Sequence, residues 1–271
     1  MKRIVFSHAN GFPAGTYRQL FEAWRAAGFE VHAIEKYGHD PRFPVTGNWP
    51  HLREQLIHFI DHEVGGPAWL VGHSLGGYLS LMAASRRPDL ALGLVLLDSP
   101  VLSGWKARAV QFAKAAGVGE RFTPGHVSKR RRQQWDSADA AFQHFATKAA
   151  FARWAPGVLD DYIASGTEPQ GKHQRLSFRR EVETSIYNTI PHHLARVLRL
   201  HPLQCAMAFV RGSESAEVRQ VGLSATQRLA HDRISTMPGS HLFPLEQPLA
   251  TATEVLRWID SLPRAAPTPR L

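Results

Sequence analysis

The chain is predicted to fold as an α/β protein, with a mostly parallel sheet of about six strands and helices on both faces. Three observations lead there. Short apolar runs alternate with helical stretches along most of the chain. Those runs are apolar at successive positions, as strands covered on both sides must be. One run also leads through a glycine-flanked serine directly into a helix.

The expected strands are Arg3–Phe6, Glu30–Ile34, Ala68–Val71, Gly93–Leu97, Ala206–Val210 and Arg233–Met237. Between them lie helix-like stretches at Tyr17–Ala27, His51–Glu63, Tyr78–Ser85, Ser224–Ala230 and Leu249–Ser261. The alternation stops between Ser103 and about residue 200, where helical patches, tryptophans and arginines replace the strand pattern. Residues 138–154 and 179–199 are its clearest helical parts. The division expected is a core of residues 1–102 and 201–262, a helical cap of residues 103–200, and a flexible proline-rich tail of residues 263–271. Chemistry is then expected at the carboxyl ends of the strands, under the cap.

Composition narrows the function classes. A hydrophobic content of 44% with 10% aromatics is that of a folded domain. The single cysteine, Cys205, allows no internal disulfide framework and points to a reducing, cytoplasmic setting. The apolar run after Met1-Lys2-Arg3 ends at Ser7, too short for a signal peptide, and no stretch reaches membrane-spanning length. Of the formal net charge of +9, nearly all lies in residues 101–200, where 16 Lys and Arg face 8 Asp and Glu. The densest run, Ser128-Lys129-Arg130-Arg131-Arg132-Gln133-Gln134, has no nucleic-acid motif beside it. It reads as a solvated helix face, with attraction of anionic substrates left open and neither a nucleic-acid nor a membrane partner expected.

The serine in Gly72-His73-Ser74-Leu75-Gly76 carries the chemical argument. It fits Gly-x-Ser-x-Gly between a strand and a helix, and glycines two residues either side let both backbones approach. Ser74 is therefore the candidate nucleophile. A hydroxyl needs a base, and of the 15 histidines His241 stands out. It follows the last strand in a turn opened by Pro238-Gly239, facing the same sheet edge. His58 and His62, four apart on a helix, lack a third ligand, so no metal is assigned. His39 and Asp40 read as turn residues, and Trp105, Trp135 and Trp154 as the core of the cap.

Together these segments resemble the α/β-hydrolase superfamily over essentially the whole chain. Asn10-Gly11-Phe12-Pro13 stands where many members have His-Gly-x-Pro, and Gly239 to Pro248 resembles the segment bearing the catalytic histidine. The resemblance implies an oxyanion hole made by the backbone N–H groups of Phe12 and Leu75. By the same resemblance, His8 is expected to take part of the packing role of the histidine that Asn10 replaces. It also implies an acid, and here the chain departs from the common pattern: the position that often bears aspartate is Ser215. Asp98, ending the strand Leu94–Leu97, is the leading candidate. Glu214 and Glu217 remain open, and Ser215 is a candidate auxiliary. The function expected is cofactor-independent hydrolysis of a small-molecule carboxylic ester. A C–C bond hydrolase, an acyl-CoA thioesterase, or a ligand-binding protein without turnover are the alternatives.

Overall fold

A computed structural model describes residues 2–115 and 125–264; the side chains of residues 113–115 and 127 fall outside the description. The strands in chain order are β1 (Arg3–Ser7), β2 (Glu30–Ala33), β3 (Ala68–His73), β4 (Ala91–Leu97), β5 (Gln134–Trp135), β6 (Thr167–Gln170), β7 (His173–Leu176), β8 (Met207–Gly212) and β9 (Ile234–Met237). Six of them form one sheet in the order β2-β1-β3-β4-β8-β9, and all of its pairs are parallel. The expected fold class and all six expected strands are present.

The continuous apolar runs have the reason the sequence implied. On β4, Leu94 and Leu96 pack into one core with Leu52, Leu56 and Leu79. Val95 and Leu97 pack on the opposite face with Leu20, Trp24, Val255 and Trp258. Each of these four side chains thus meets a helix layer, and burying one aliphatic side chain of this kind contributes about 1.5–3 kcal/mol.

The junction after β3 positions the site. The helix Leu75–Arg86 is buried along nearly its whole length, so it lies directly on the sheet. A methyl group on Gly76 would stand 1.9 Å from the Ser7 carbonyl oxygen at the end of β1, and one on Gly72 would stand 2.3 Å from the Gly76 carbonyl oxygen. Backbone meets backbone there, and only glycine fits. The turn drives Ser74 to φ 53, ψ −114, a conformation that L side chains rarely adopt. The Ser74 N–H is anchored on the Leu97 carbonyl at 3.0 Å and Ser99 Oγ donates to the Ser74 carbonyl at 2.9 Å.

The long insertion between β4 and β8 differs in three respects from the sequence expectation. It contains a three-stranded antiparallel sheet, β5-β7-β6, besides its helices. The β6–β7 hairpin, Thr167 to Leu176, is polar and carries Pro169, so it has none of the apolar alternation that announces a strand. Second, Trp135 and Trp154 are buried at 1% and 8% exposure, but Trp105 is 74% exposed, so it is not part of that core. Third, the basic run is no helix face: its helix ends at Ser128 and the chain turns into β5. Within it Arg131 is drawn inward to pair with the buried Glu183 at 2.8 Å. Of the tail, residues 265–271 lie outside the described residues. No helix among the described residues is long and apolar enough to cross a membrane.

Because the elbow is a backbone contact, Gly76→Ala is expected to cost about 3 kcal/mol or more, or to prevent folding. Gly28→Ala, with φ +83 but open space around it, should cost only about 1–2 kcal/mol. Urea unfolding of the two variants measures the difference.

Candidate active site

Ser74, His241 and Asp98 come from three separate parts of the chain and meet at the carboxyl ends of the strands. His241 Nε2 lies 3.0 Å from Ser74 Oγ, and His241 Nδ1 lies 2.7 Å from Asp98 Oδ2. An ionised carboxylate can only accept, so the proton sits on Nδ1 and Nε2 is left to accept from the serine hydroxyl. Asp98 caps β4 at φ 47, with its own N–H bonded to the Val210 carbonyl at 2.8 Å. Its carboxylate is buried and takes two further hydrogen bonds, from the Gly212 N–H at 2.8 Å and from Ser215 Oγ at 2.5 Å. Ser215 thus bonds the Asp98 carboxylate, and its Oγ also caps the helix Ala216–Val221 through the Val218 N–H at 3.1 Å.

The other two carboxylates divide. Glu214 is exposed and makes a two-pronged pair with Arg153, at 2.8 and 3.1 Å. Glu217 stays close, with Oε2 3.7 Å from His241 Nδ1, but nearly half its side chain is exposed. Burial alone would lower the His241 pKa; the hydrogen bond to Asp98 and the charges of Glu217 and Asp98 outweigh it, and the net direction is upward. Asp98, Glu217 and His241 are also the one group among the described residues whose ligand atoms lie within 4.8 Å of one another, close enough to hold a metal ion. The 2.7 Å His241–Asp98 contact is that of a hydrogen bond and leaves no room for an ion between those two atoms.

The two expected oxyanion donors are placed differently. Leu75 opens the helix after Ser74, where N–H groups have no partner within the helix. The Phe12 N–H instead closes a turn onto the Ala9 carbonyl at 3.2 Å, so in this structure it is already engaged. That long bond can be shared or exchanged, but Phe12 does not offer the free donor that the sequence implied.

His73 is a functional neighbour that sequence reasoning passed over. It is fully buried, which holds its pKa well below the usual histidine value and keeps it neutral. Its Nε2–H donates to the His241 carbonyl at 2.9 Å, while Nδ1 accepts from Tyr17 OH at 2.8 Å. Tyr17 OH in turn accepts from the Ala9 N–H at 3.3 Å, so one chain of bonds joins the loop after β1 to the backbone of His241. A polar residue closing an otherwise apolar strand was the available signal. His8 is equally buried, with a pKa lowered to about 4, mainly by burial. It braces the same loop by accepting from the Tyr37 N–H at 3.0 Å and donating to the Ala9 carbonyl at 2.8 Å.

His39 holds the insertion by accepting from the Arg179 N–H at 2.9 Å, and Asp40 pairs with Arg42 at 2.7 Å. His58 and His62 stack on each other at 4.1 Å.

With this geometry in hand, comparison with known proteins places the chain. The sequence profile described as "Alpha/beta hydrolase family" matches residues 4–254. The chain belongs to the alpha/beta hydrolase family. It is similar to the human (Homo sapiens) monoglyceride lipase, with 30% identity over 110 residues, 38% of this chain and 36% of that protein. It is also similar to a monoglyceride lipase homolog of Monkeypox virus, with 26% identity over 169 residues, 56% of this chain and 60% of that one. The match thus spans from about a third to just under two thirds of the length of these relatives. Among solved structures, E-2-(acetamidomethylene)succinate hydrolase superposes with a TM-score of 0.71 at 23% identity, covering 96% of this chain and 92% of that one. An M. tuberculosis esterase superposes with a TM-score of 0.69 at 19% identity, covering 96% and 86%. Both likenesses are likenesses of fold.

The electrostatics of the site make a titration prediction. Because Asp98 and Glu217 favour the imidazolium, both Asp98→Asn and Glu217→Gln should lower the His241 pKa, Asp98→Asn by more. An NMR titration of the His241 ring in the three proteins checks the order. An unchanged pKa in Glu217→Gln would remove Glu217 from the site's field.

Proposed function

We propose that this hydrolase cleaves a small-molecule carboxylic ester through an acyl-enzyme. In this reading Ser74 Oγ attacks the carbonyl carbon as its proton passes to His241 Nε2. The tetrahedral oxyanion is held by the Leu75 N–H, with the Phe12 N–H as second donor once it is shared with Ala9. Collapse breaks the bond to the alcohol, which leaves with the proton from His241. Water then attacks the acyl-enzyme by the same route and regenerates Ser74. Asp98 keeps His241 in the Nδ1–H tautomer and stabilises the imidazolium, with Ser215 holding the carboxylate from its other side.

The observation that carries the proposal is the line of contacts at 3.0 Å from Ser74 Oγ to His241 Nε2 and 2.7 Å from His241 Nδ1 to Asp98 Oδ2. The contacts of Asp98 with His241 and Ser215 also favour the catalytic reading over the non-catalytic one, whose support was the serine at position 215. The names of the relatives, lipase and esterase, agree with an ester substrate. The insertion of residues 103–200 is proposed as a cap over the site. Its charge excess favours the approach of anionic substrates, and the single Cys205 favours the cytoplasm.

A fluorophosphonate probe should label the wild-type protein and leave Ser74→Ala unlabelled; a folded wild type that resists labelling overturns the proposal. On an activated ester, Asp98→Asn should lower kcat by on the order of 10³–10⁴-fold. Ser215→Ala should cost about tenfold through its hold on Asp98, and Glu214→Gln should change kcat less than about twofold. A large loss in Glu214→Gln with Asp98→Asn near wild type would reverse the assignment of the acid.

A further inference from the structure

Beside the loop that carries Phe12, the insertion forms a pocket of about 730 Å³. Phe12, Phe145 and Phe151 make an apolar wall, and the charged part of the lining is Arg130, Arg131, Arg132 and Lys148 against a single carboxylate, Glu183. That carboxylate is already neutralised. Glu183 Oε2 lies 2.8 Å from Arg131, whose guanidinium also bonds the Tyr162 hydroxyl and stands 5.6 Å from the centre of the Phe145 ring. Arg132 spends its Nε–H on the Gln134 carbonyl at 2.8 Å and rests against the Trp135 ring, and among the described residues its outer N–H groups meet no acceptor. Among the described residues no carboxylate pairs with Arg130, Arg132 or Lys148.

The pocket is joined to the reaction centre through its floor. The Asn10 side-chain N–H donates to the Glu183 carbonyl at 3.0 Å. The Glu183 carboxylate lies so close over Gly11 that an added methyl there would meet it at 2.7 Å. The Arg131–Glu183 pair is therefore the surface on which the loop from Asn10 to Phe12 rests, and a ligand in the pocket lies against the same loop. Three cations that pair with no carboxylate among the described residues, beside an aromatic wall, call for a ligand with an apolar stretch and an anionic end.

We propose that this pocket is a substrate subsite, and that the ester cleaved at Ser74 carries an anionic oxygen group, carboxylate or phosphate, held by Arg130, Arg132 and Lys148. An apolar segment against Phe12, Phe145 and Phe151 separates that group from the scissile bond. The inference rests on the hydrolase reading above and adds the chemical class of the substrate.

Two matched pairs of substrates test it. The mono-p-nitrophenyl ester of adipic acid is compared with its methyl-capped neutral counterpart, and hexanoyl-CoA with hexanoyl-N-acetylcysteamine. The anionic member of at least one pair should be favoured about tenfold or more in kcat/KM at low ionic strength, and the preference should shrink as salt is added. Preference in the adipate pair alone assigns a carboxylate, and in the CoA pair alone a phosphate. Lys148→Glu, and separately Arg130→Gln with Lys148→Gln, should bring the anionic-to-neutral ratio towards one, with probe labelling of Ser74 certifying a folded site. Neutral substrates turned over as well as anionic ones in both pairs, or a ratio untouched by the substitutions, overturns the subsite. Failure of every ester together with absence of probe labelling would instead overturn the hydrolase reading.

Discussion

The Asp98 carboxylate is the point on which the site converges. A buried carboxylate without partners would cost several kcal/mol, and here three donors from later in the chain meet it: Gly212, Ser215 and His241. Each hydrogen bond to a charged group contributes about 1.5–3 kcal/mol. They tie the end of β4 to the end of β8, to the helix beginning at Ala216, and to the loop after β9. The same loop is held from the other side by Glu246, which accepts from the Ser240 N–H at 3.0 Å and from Ser240 Oγ at 2.5 Å. His241 therefore has little freedom to leave Ser74.

The elbow supplies the complementary constraint. Gly72 and Gly76 let the helix sit on the sheet with no side chain between, and the resulting turn lifts Ser74 into a strained backbone conformation. Such strain persists only where the surroundings hold it. Here the Leu97 carbonyl and Ser99 hydroxyl do so, and both come from β4 or the residues just after it, beside Asp98. Ser74 and Asp98 are thus aligned by one pair of parallel strands, in register from Trp69 against Gly93 to His73 against Leu97.

Buried neutral histidines do a different job from His241. His8 and His73 lose their charge to burial and act as two-sided hydrogen-bonding spacers. One steadies the loop after β1 and the other joins that loop, through Tyr17, to the His241 carbonyl. At His241 burial acts in the same downward direction, but the Asp98 and Glu217 carboxylates outweigh it and the pKa is raised. In the insertion, Arg131 and Glu183 are paired under the aromatic cluster of Phe145, Phe151, Trp154 and Tyr162. Their pairing leaves the remaining arginines and Lys148 to set the sign of the pocket.

By itself the sequence determined what depends on near neighbours: six apolar strands, the helices between them, the glycine-flanked Ser74 and the turn that bears His241. These are written in periodicity and in residues a few positions apart. The sequence put Asp98 first as the acid but left Glu214 and Glu217 open, because the Ser215–Asp98 and His241–Asp98 contacts join residues 117 and 143 positions apart. Tertiary packing also decided that Arg131 turns inward while its neighbours face the pocket, that the Phe12 N–H is engaged, and that the polar segment from Thr167 to Leu176 is a hairpin. In each case the deciding partner lies on another element, and local pattern carries no record of where a distant donor or charge will be brought.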